Sequence, residues 1–179
     1  RIHGHGLALR PHAKTAKSVD VARMAVGEKG NALAVSTLRE ADYFLSHGFT
    51  DLVYAVCITP DKLDVASALL GRGAELKVIT DNLAVAETIS NHAGTHRVLI
   101  EIDCGEHRTG VVADSPNLIE IAAAVERSGR SKILGVLTHA GHSYATRTPA
   151  AAAVVAEAER VAAVKAGQRL RDAGFETPI

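Results

Sequence analysis

The residues able to do covalent chemistry fall into three short clusters. The first is the run Leu9-Arg10-Pro11-His12-Ala13-Lys14-Thr15-Ala16-Lys17-Ser18. A lysine at the carboxyl end of a strand, flanked by Arg10 and His12, sits where a desolvated amine can attack a carbonyl carbon and form a Schiff base. Lys14 is the candidate. Lys17 falls in the turn to the next helix and reads as a solvated side chain or a phosphate-side contact, and the whole run also reads as a basic turn after a strand. The second cluster, Glu101-Ile102-Asp103-Cys104-Gly105-Glu106-His107-Arg108-Thr109-Gly110, puts Asp103, His107 and Arg108 on a loop bounded by glycines. Glycine lets such a backbone turn tightly enough to aim an arginine back at the strand ends. A mixed-charge surface loop is the alternative. In the third, Leu137-Thr138-His139-Ala140-Gly141-His142-Ser143-Tyr144, His139 closes a strand and can stack on a planar ring, while Ser143 and Tyr144 follow on a loop that can cover a ligand. A zinc site on His139 and His142 needs a third ligand that the sequence does not supply nearby, so no metal ligand is assigned. His3 and His5 read as a loose terminus. His47, His92 and His96 fall at helix ends, where capping or a surface role is expected.

Positioning these clusters requires strands that end together. Hydrophobic spacing predicts strands over 7–14, 33–37, 52–57, 76–80, 98–103 and 133–139, and helices over 19–26, 38–46, 60–70, 83–91, 116–128 and 149–173. That alternation specifies a parallel sheet with crossover helices. Thr59-Pro60, Ser115-Pro116 and Thr148-Pro149 set a hydroxyl before a proline, as helix starts do. Gly48, Gly73, Gly94, Gly129 and Gly174 each follow a helical pattern, as helix stops do. Strand ends recur about every 22 residues, which favours a (β/α)8 TIM-type barrel, here truncated after about six strands, with 178–179 opening a seventh. Parity puts Arg10, His12 and Lys14 on one face of the first strand and Leu7 and Leu9 on the other, facing the helices. The charged parity ends at the carboxyl tip, where barrel active sites lie.

Composition excludes several function classes. The 179 residues are 47% hydrophobic and only 3% aromatic, and 20 basic residues cancel 20 acidic ones, so no basic face is available for nucleic acid. No apolar run is long enough for a membrane span. Two cysteines, Cys57 and Cys104, have no paired spacing and fit a reducing cytoplasm better than a disulfide framework.

In order and wording, the clusters resemble the pyridoxal-phosphate enzymes of the D-threonine aldolase and D-serine dehydratase group, relatives of the alanine racemase N-terminal barrel. The Arg-Pro-His-x-Lys-Thr stretch of that family carries the cofactor lysine, which falls on Lys14, with His12 and Thr15 beside it; a histidine common before the second lysine is Ala16 here. The family's Asp-x-Gly-x-x-Arg-x-Gly segment falls on residues 103–110, so the resemblance gives Arg108 the cofactor's phenolic oxygen. His139 matches the histidine packed on the pyridine ring, and Tyr144 belongs to an element beside the substrate. The resemblance implies pyridoxal 5'-phosphate, a D-3-hydroxy amino acid substrate, and dehydration or aldol cleavage with Lys14 catalytic. An amino-acid racemase and a non-catalytic pyridoxal-phosphate carrier on the same barrel are the alternatives. Residues 1–179 are then expected to be part of the cofactor-binding barrel. A C-terminal β domain, a phosphate-gripping loop and a divalent metal, Zn or Mn, are expected only in the full-length protein, itself expected to be a homodimer.

Overall fold

The computed structural model describes Gly4 and residues 6–27 and 30–179; His3 and His5 lie outside the described residues. Strand and helix alternate as expected, in two compact units, Arg1–Val78 and Ile79–Ile179. The first carries α1 (Val19–Val26), β1 (Ala32–Val35), α2 (Leu38–Leu45), β2 (Asp51–Cys57), a 3-10 turn Pro60–Lys62 running into α3 (Leu63–Gly71), and most of β3 (Glu75–Thr80). The second carries α4 (Leu83–Asn91), β4 (Arg97–Asp103), β5 (Val111–Val112), α5 (Asn117–Glu126), β6 (Lys132–Thr138), a 3-10 turn Gly141–Ala145 and α6 (Pro149–Asp172).

In the first unit β1 and β2 are parallel from Ala32↔Asp51 to Val35↔Tyr54, and β3 lies beside β2. Burial alternates along β1, with Leu33 and Val35 fully covered. In the second unit β4 runs parallel to β6 from Arg97↔Lys132 to Ile102↔Thr138, with a register shift between Val98 and Leu99. Residues Val98 to Ile102 are all buried, the pattern of a strand covered on both faces. Side-chain caps start the helices: Thr37 accepts the Glu40 N–H, Asn82 the Val85 N–H and Thr148 the Ala151 N–H.

Two expectations need correction, and one strand is new. The strand over 7–14 is reduced to one parallel bridge, His12 with Ala34, in which Ala34 N–H donates to Pro11 O at 2.9 Å and Ala13 N–H to Ala34 O at 2.8 Å. Pro11 has no N–H to extend a ladder, and the chain turns at residues 13–16, so Leu7 and Leu9 are exposed rather than packed on helices. A strand that the spacing does not predict, β5, pairs Val111 and Val112 with Ile102 and Asp103; two residues are too short to show a period. Gly48, Gly73, Gly129 and Gly174 take the positive φ of helix stops, but Gly94 does not, because the chain leaves α4 through extended His92. At the other end Ile179 N–H donates to Leu134 O at 2.9 Å, the pairing expected of an opening strand. Gly135 makes this possible, since a side chain there would collide with the Ile179 backbone.

Candidate active site

In the first unit the bridge at His12 sets the turn that carries Lys14. Ala13 is buried and anchors it; His12, Lys14 and Thr15 are exposed, and Lys14 N–H donates to His12 Nδ1 at 3.2 Å. The desolvated lysine expected from the sequence is therefore not seen: Lys14 faces solvent, and no partner of its ammonium occurs among the described residues. Lys17 is committed instead. Its ammonium lies 3.1 Å from Glu40, whose nearly buried carboxylate also accepts the Ser36 N–H at 2.8 Å. Burial pushes the Glu40 pKa up, but the Ser36 and Lys17 bonds outweigh it and hold the acid below its ordinary value.

Arg10 does not flank Lys14. Its guanidinium donates to Asp51 Oδ2 at 2.6 Å and Asp51 O at 2.8 Å, at the amino end of β2, where buried Lys77 meets the same carboxylate. Burial again opposes ionisation of Asp51, and the two cations overcome it, lowering its pKa. Arg10 is thus a structural cation at the opposite end of the strand from the lysine turn.

In the second unit the loop after β4 is built on Asp103. Its carboxylate accepts the N–H groups of Gly105 at 2.9 Å and His107 at 3.0 Å, and His107 Nδ1 lies 2.7 Å from its other oxygen. These bonds outweigh the burial that would raise the Asp103 pKa, so the acid stays ionised below its usual range. The loop closes at Gly110, whose N–H donates to Asp81 at 2.8 Å, and Thr109 donates to the buried Glu101 at 2.9 Å.

Between these anchors Glu106 reaches the third cluster. Glu106 Oε2 lies 2.9 Å from His139 Nδ1 and accepts the Gly141 N–H at 3.1 Å, while Arg108 lies 3.8 Å from Glu106 Oε1. Chiefly through His139, the Glu106 pKa is lowered. Buried Cys104 donates its thiol to His139 O at 3.5 Å; burial first, then Glu159, raises its pKa and keeps it from acting as a thiolate. The buried Nδ1 of His142 has no partner among the described residues. Tyr144 is 80% exposed, with its ring in solvent.

The structure thus joins Arg108 and His139 through Glu106, keeps His12, Lys14 and Thr15 together at the first turn, and leaves the Tyr144 ring in solvent. Glu106 is the residue that sequence reasoning passed over, and its only sequence signal is its place inside the Asp103 loop. His96, expected at the surface, is buried with its Nε2 3.0 Å from His92 Nδ1. Within neither unit do three metal-ligating side chains converge among the described residues, and no helix among them is long and apolar enough to cross a membrane.

The family profile described as "Alanine racemase, N-terminal domain" matches residues 1–179. A D-threo-3-hydroxyaspartate dehydratase from Delftia sp. is 41% identical over all of this chain and 48% of its own length. The solved structure of that dehydratase superposes with a TM-score of 0.94 at 42% identity, over 99% of this chain and 48% of that one. A D-serine dehydratase from Dictyostelium discoideum is 29% identical over 96% of this chain and 47% of its length, and a 3-hydroxy-D-aspartate aldolase from Paracoccus denitrificans is 30% identical over 79% and 38%. The chain spans about half the length of the first two relatives, at 48% and 47%.

Proposed function

Because the chain belongs to the alanine racemase N-terminal domain family, we propose that it is part of the cofactor-binding barrel of a pyridoxal-phosphate-dependent lyase acting on D-3-hydroxy amino acids. Dehydration is the leading reaction and aldol cleavage the second, an order that rests on the greater similarity to the dehydratases. The observation that carries the reading is the convergence of Arg108 and His139 on one carboxylate at the carboxyl ends of β4 and β6.

The donor set fits the cofactor. An anionic, planar aldehyde needs an amine, a cation for its phenolic oxygen and a flat side chain for its ring, and Lys14, Arg108 and His139 are of those three kinds. When bound, pyridoxal phosphate supplies an electron sink that acidifies the substrate's α-carbon. Lys14 Nζ would hold the aldehyde and, once released by the substrate amine, act as the base for the α-proton from one face, which selects the D enantiomer. Arg108 would donate to the phenolic oxygen, and His139 would fix the ring plane. His12 and Thr15 would shape the lysine turn, and Tyr144 would close on the substrate. A Zn or Mn ion is proposed for the full-length protein. A homodimer is likewise proposed for the full-length protein.

The test uses the full-length protein loaded with pyridoxal phosphate. Borohydride reduction is expected to leave the pyridoxyl group on the peptide bearing Lys14, and D-serine or D-threonine is expected to yield a 2-oxo acid and ammonia. Label on Lys17 overturns the lysine assignment. Glycine from D-threonine turns the reading to aldol cleavage, and no turnover of any D-3-hydroxy amino acid overturns the lyase in favour of a racemase or a carrier.

A further inference from the structure

Glu106 stands inside the second cluster with no role read for it from the sequence, yet its carboxylate joins two loops of the second unit. Its Oε2 faces two donors at once, His139 Nδ1 at 2.9 Å and Gly141 N–H at 3.1 Å, from residues 33 and 35 positions away. An ionised carboxylate only accepts hydrogen bonds, so the contact with His139 requires a proton on Nδ1. The Gly141 nitrogen also lies 3.1 Å from His139 Nδ1, but with both nitrogens bearing hydrogen that approach is not a bond, and both N–H groups point to the carboxylate. A Cβ at Gly141 would fall 2.6 Å from His139 Cε1 and 2.9 Å from the Glu106 carboxyl carbon, so a side chain there would displace one of the two. Burial of Cys104 beneath, with its thiol on His139 O, holds the backbone of the same histidine. The imidazole is therefore gripped at its main chain and at one ring nitrogen, with Nε2 left over. The hydrogen bond made by one ring nitrogen decides which of the two carries the proton.

We propose that Glu106 is a positioning residue for His139, holding its ring plane and its Nδ1–H tautomer so that a fixed imidazole face, with Nε2 as the bare nitrogen, is presented to the cofactor ring. This rests on the pyridoxal-phosphate reading above. It adds a residue acting through His139 rather than on the cofactor itself. Because both N–H groups use the same oxygen, Oε2, while Oε1 faces Arg108, glutamine at 106 can keep the two bonds while losing the charge and the Arg108 contact. Leucine loses all three interactions.

The experiment takes the full-length protein, with histidine labelled by nitrogen-15, with and without pyridoxal phosphate, and compares wild type with Glu106→Gln and Glu106→Leu. The His139 signals are assigned by their loss in His139→Gln. At a pH where the imidazole is neutral, wild type and Glu106→Gln are expected to show the Nδ1–H tautomer with or without the cofactor, and Glu106→Leu the Nε2–H form. The visible circular dichroism of the bound cofactor is expected to survive in Glu106→Gln and to fall severalfold in Glu106→Leu. Retention of Nδ1–H in Glu106→Leu, its loss in Glu106→Gln, or unchanged dichroism in Glu106→Leu overturns the proposal. If the leucine variant does not fold, the tautomer in Glu106→Gln decides alone. Absence of a visible band in the wild type would instead overturn the pyridoxal-phosphate reading, leaving the cofactor-free tautomer as an independent result.

Discussion

Asp51 shows how much a single side chain carries in the first unit. It ties together Arg10 and Lys77, and Lys77 is almost fully buried while the Asp51 and Arg10 side chains keep 24% and 28% of their exposure. Removing one member of such a group leaves a buried charge unpaired, which costs more than the pair itself contributes. Asp51→Asn is therefore expected to destabilise the full-length protein by about 3 kcal/mol, read from urea unfolding near neutral pH. Lys77→Met keeps the Arg10–Asp51 bond and buries only methylene and sulfur, so its loss is expected to be smaller. Equal losses would show that the cluster does not act as a unit. The same residues explain a misreading of the sequence. Parity places Arg10 beside Lys14, but parity holds only where a strand persists, and this segment keeps a single bridge.

At the scale of elements, what was legible was what local chemistry decides. Helices α1 and α4 begin and end at the residues the spacing predicts, and α6 falls within one residue of its expected end, because caps, prolines and apolar periods act over a few positions. The Lys14 turn and the two loops carrying Arg108 and His139 were likewise visible in residue order. The pairing of Glu106 with His139 was not, since the two stand 33 positions apart and meet only once the chain between them is folded. Neither was β5, which exists because the loop returns onto the end of β4 at Gly110. That glycine has φ 97°, and a Cβ would lie 2.5 Å from Asp103 N and 2.6 Å from Ile102 C, both immovable backbone atoms. Gly129 has φ 72° with open space around it. Gly129→Ala is thus expected to cost about 1 kcal/mol from conformation alone, and Gly110→Ala about 3 kcal/mol from conformation plus collision, compared by urea unfolding. A Gly110→Ala cost no greater than that of Gly129→Ala would mean that the loop does not need this close return.

For the whole molecule, the even balance of 20 basic and 20 acidic residues hides an uneven response to acid. Glu40 and Asp51 in the first unit and Asp103 and Glu106 in the second all have lowered pKa values, so each stabilises the fold above its unfolded value and loses that contribution as pH falls through the folded one. All four act at or below the ordinary carboxylate range. His96 acts at higher pH. It is 1% exposed, its Nδ1 has no partner among the described residues, and burial, followed by the repulsion of His92, lowers its pKa from 6.5 to about 4. The unfolded chain binds a proton at this residue before the folded one does, so its contribution is complete above pH 6.5 and declines steadily toward pH 4. A shift of that size corresponds to roughly 3 kcal/mol. His96→Phe fills the same space without titrating and removes a buried nitrogen that lacks a partner, at the cost of the contact with His92. The difference in urea stability between wild type and His96→Phe, measured on the full-length protein, cancels every carboxylate common to both. It is expected to tilt toward the variant by roughly 3 kcal/mol between pH 6.5 and 4 and to be flat above pH 7. A difference that is flat throughout would mean that His96 is not the group that gives the fold its sensitivity to mild acid.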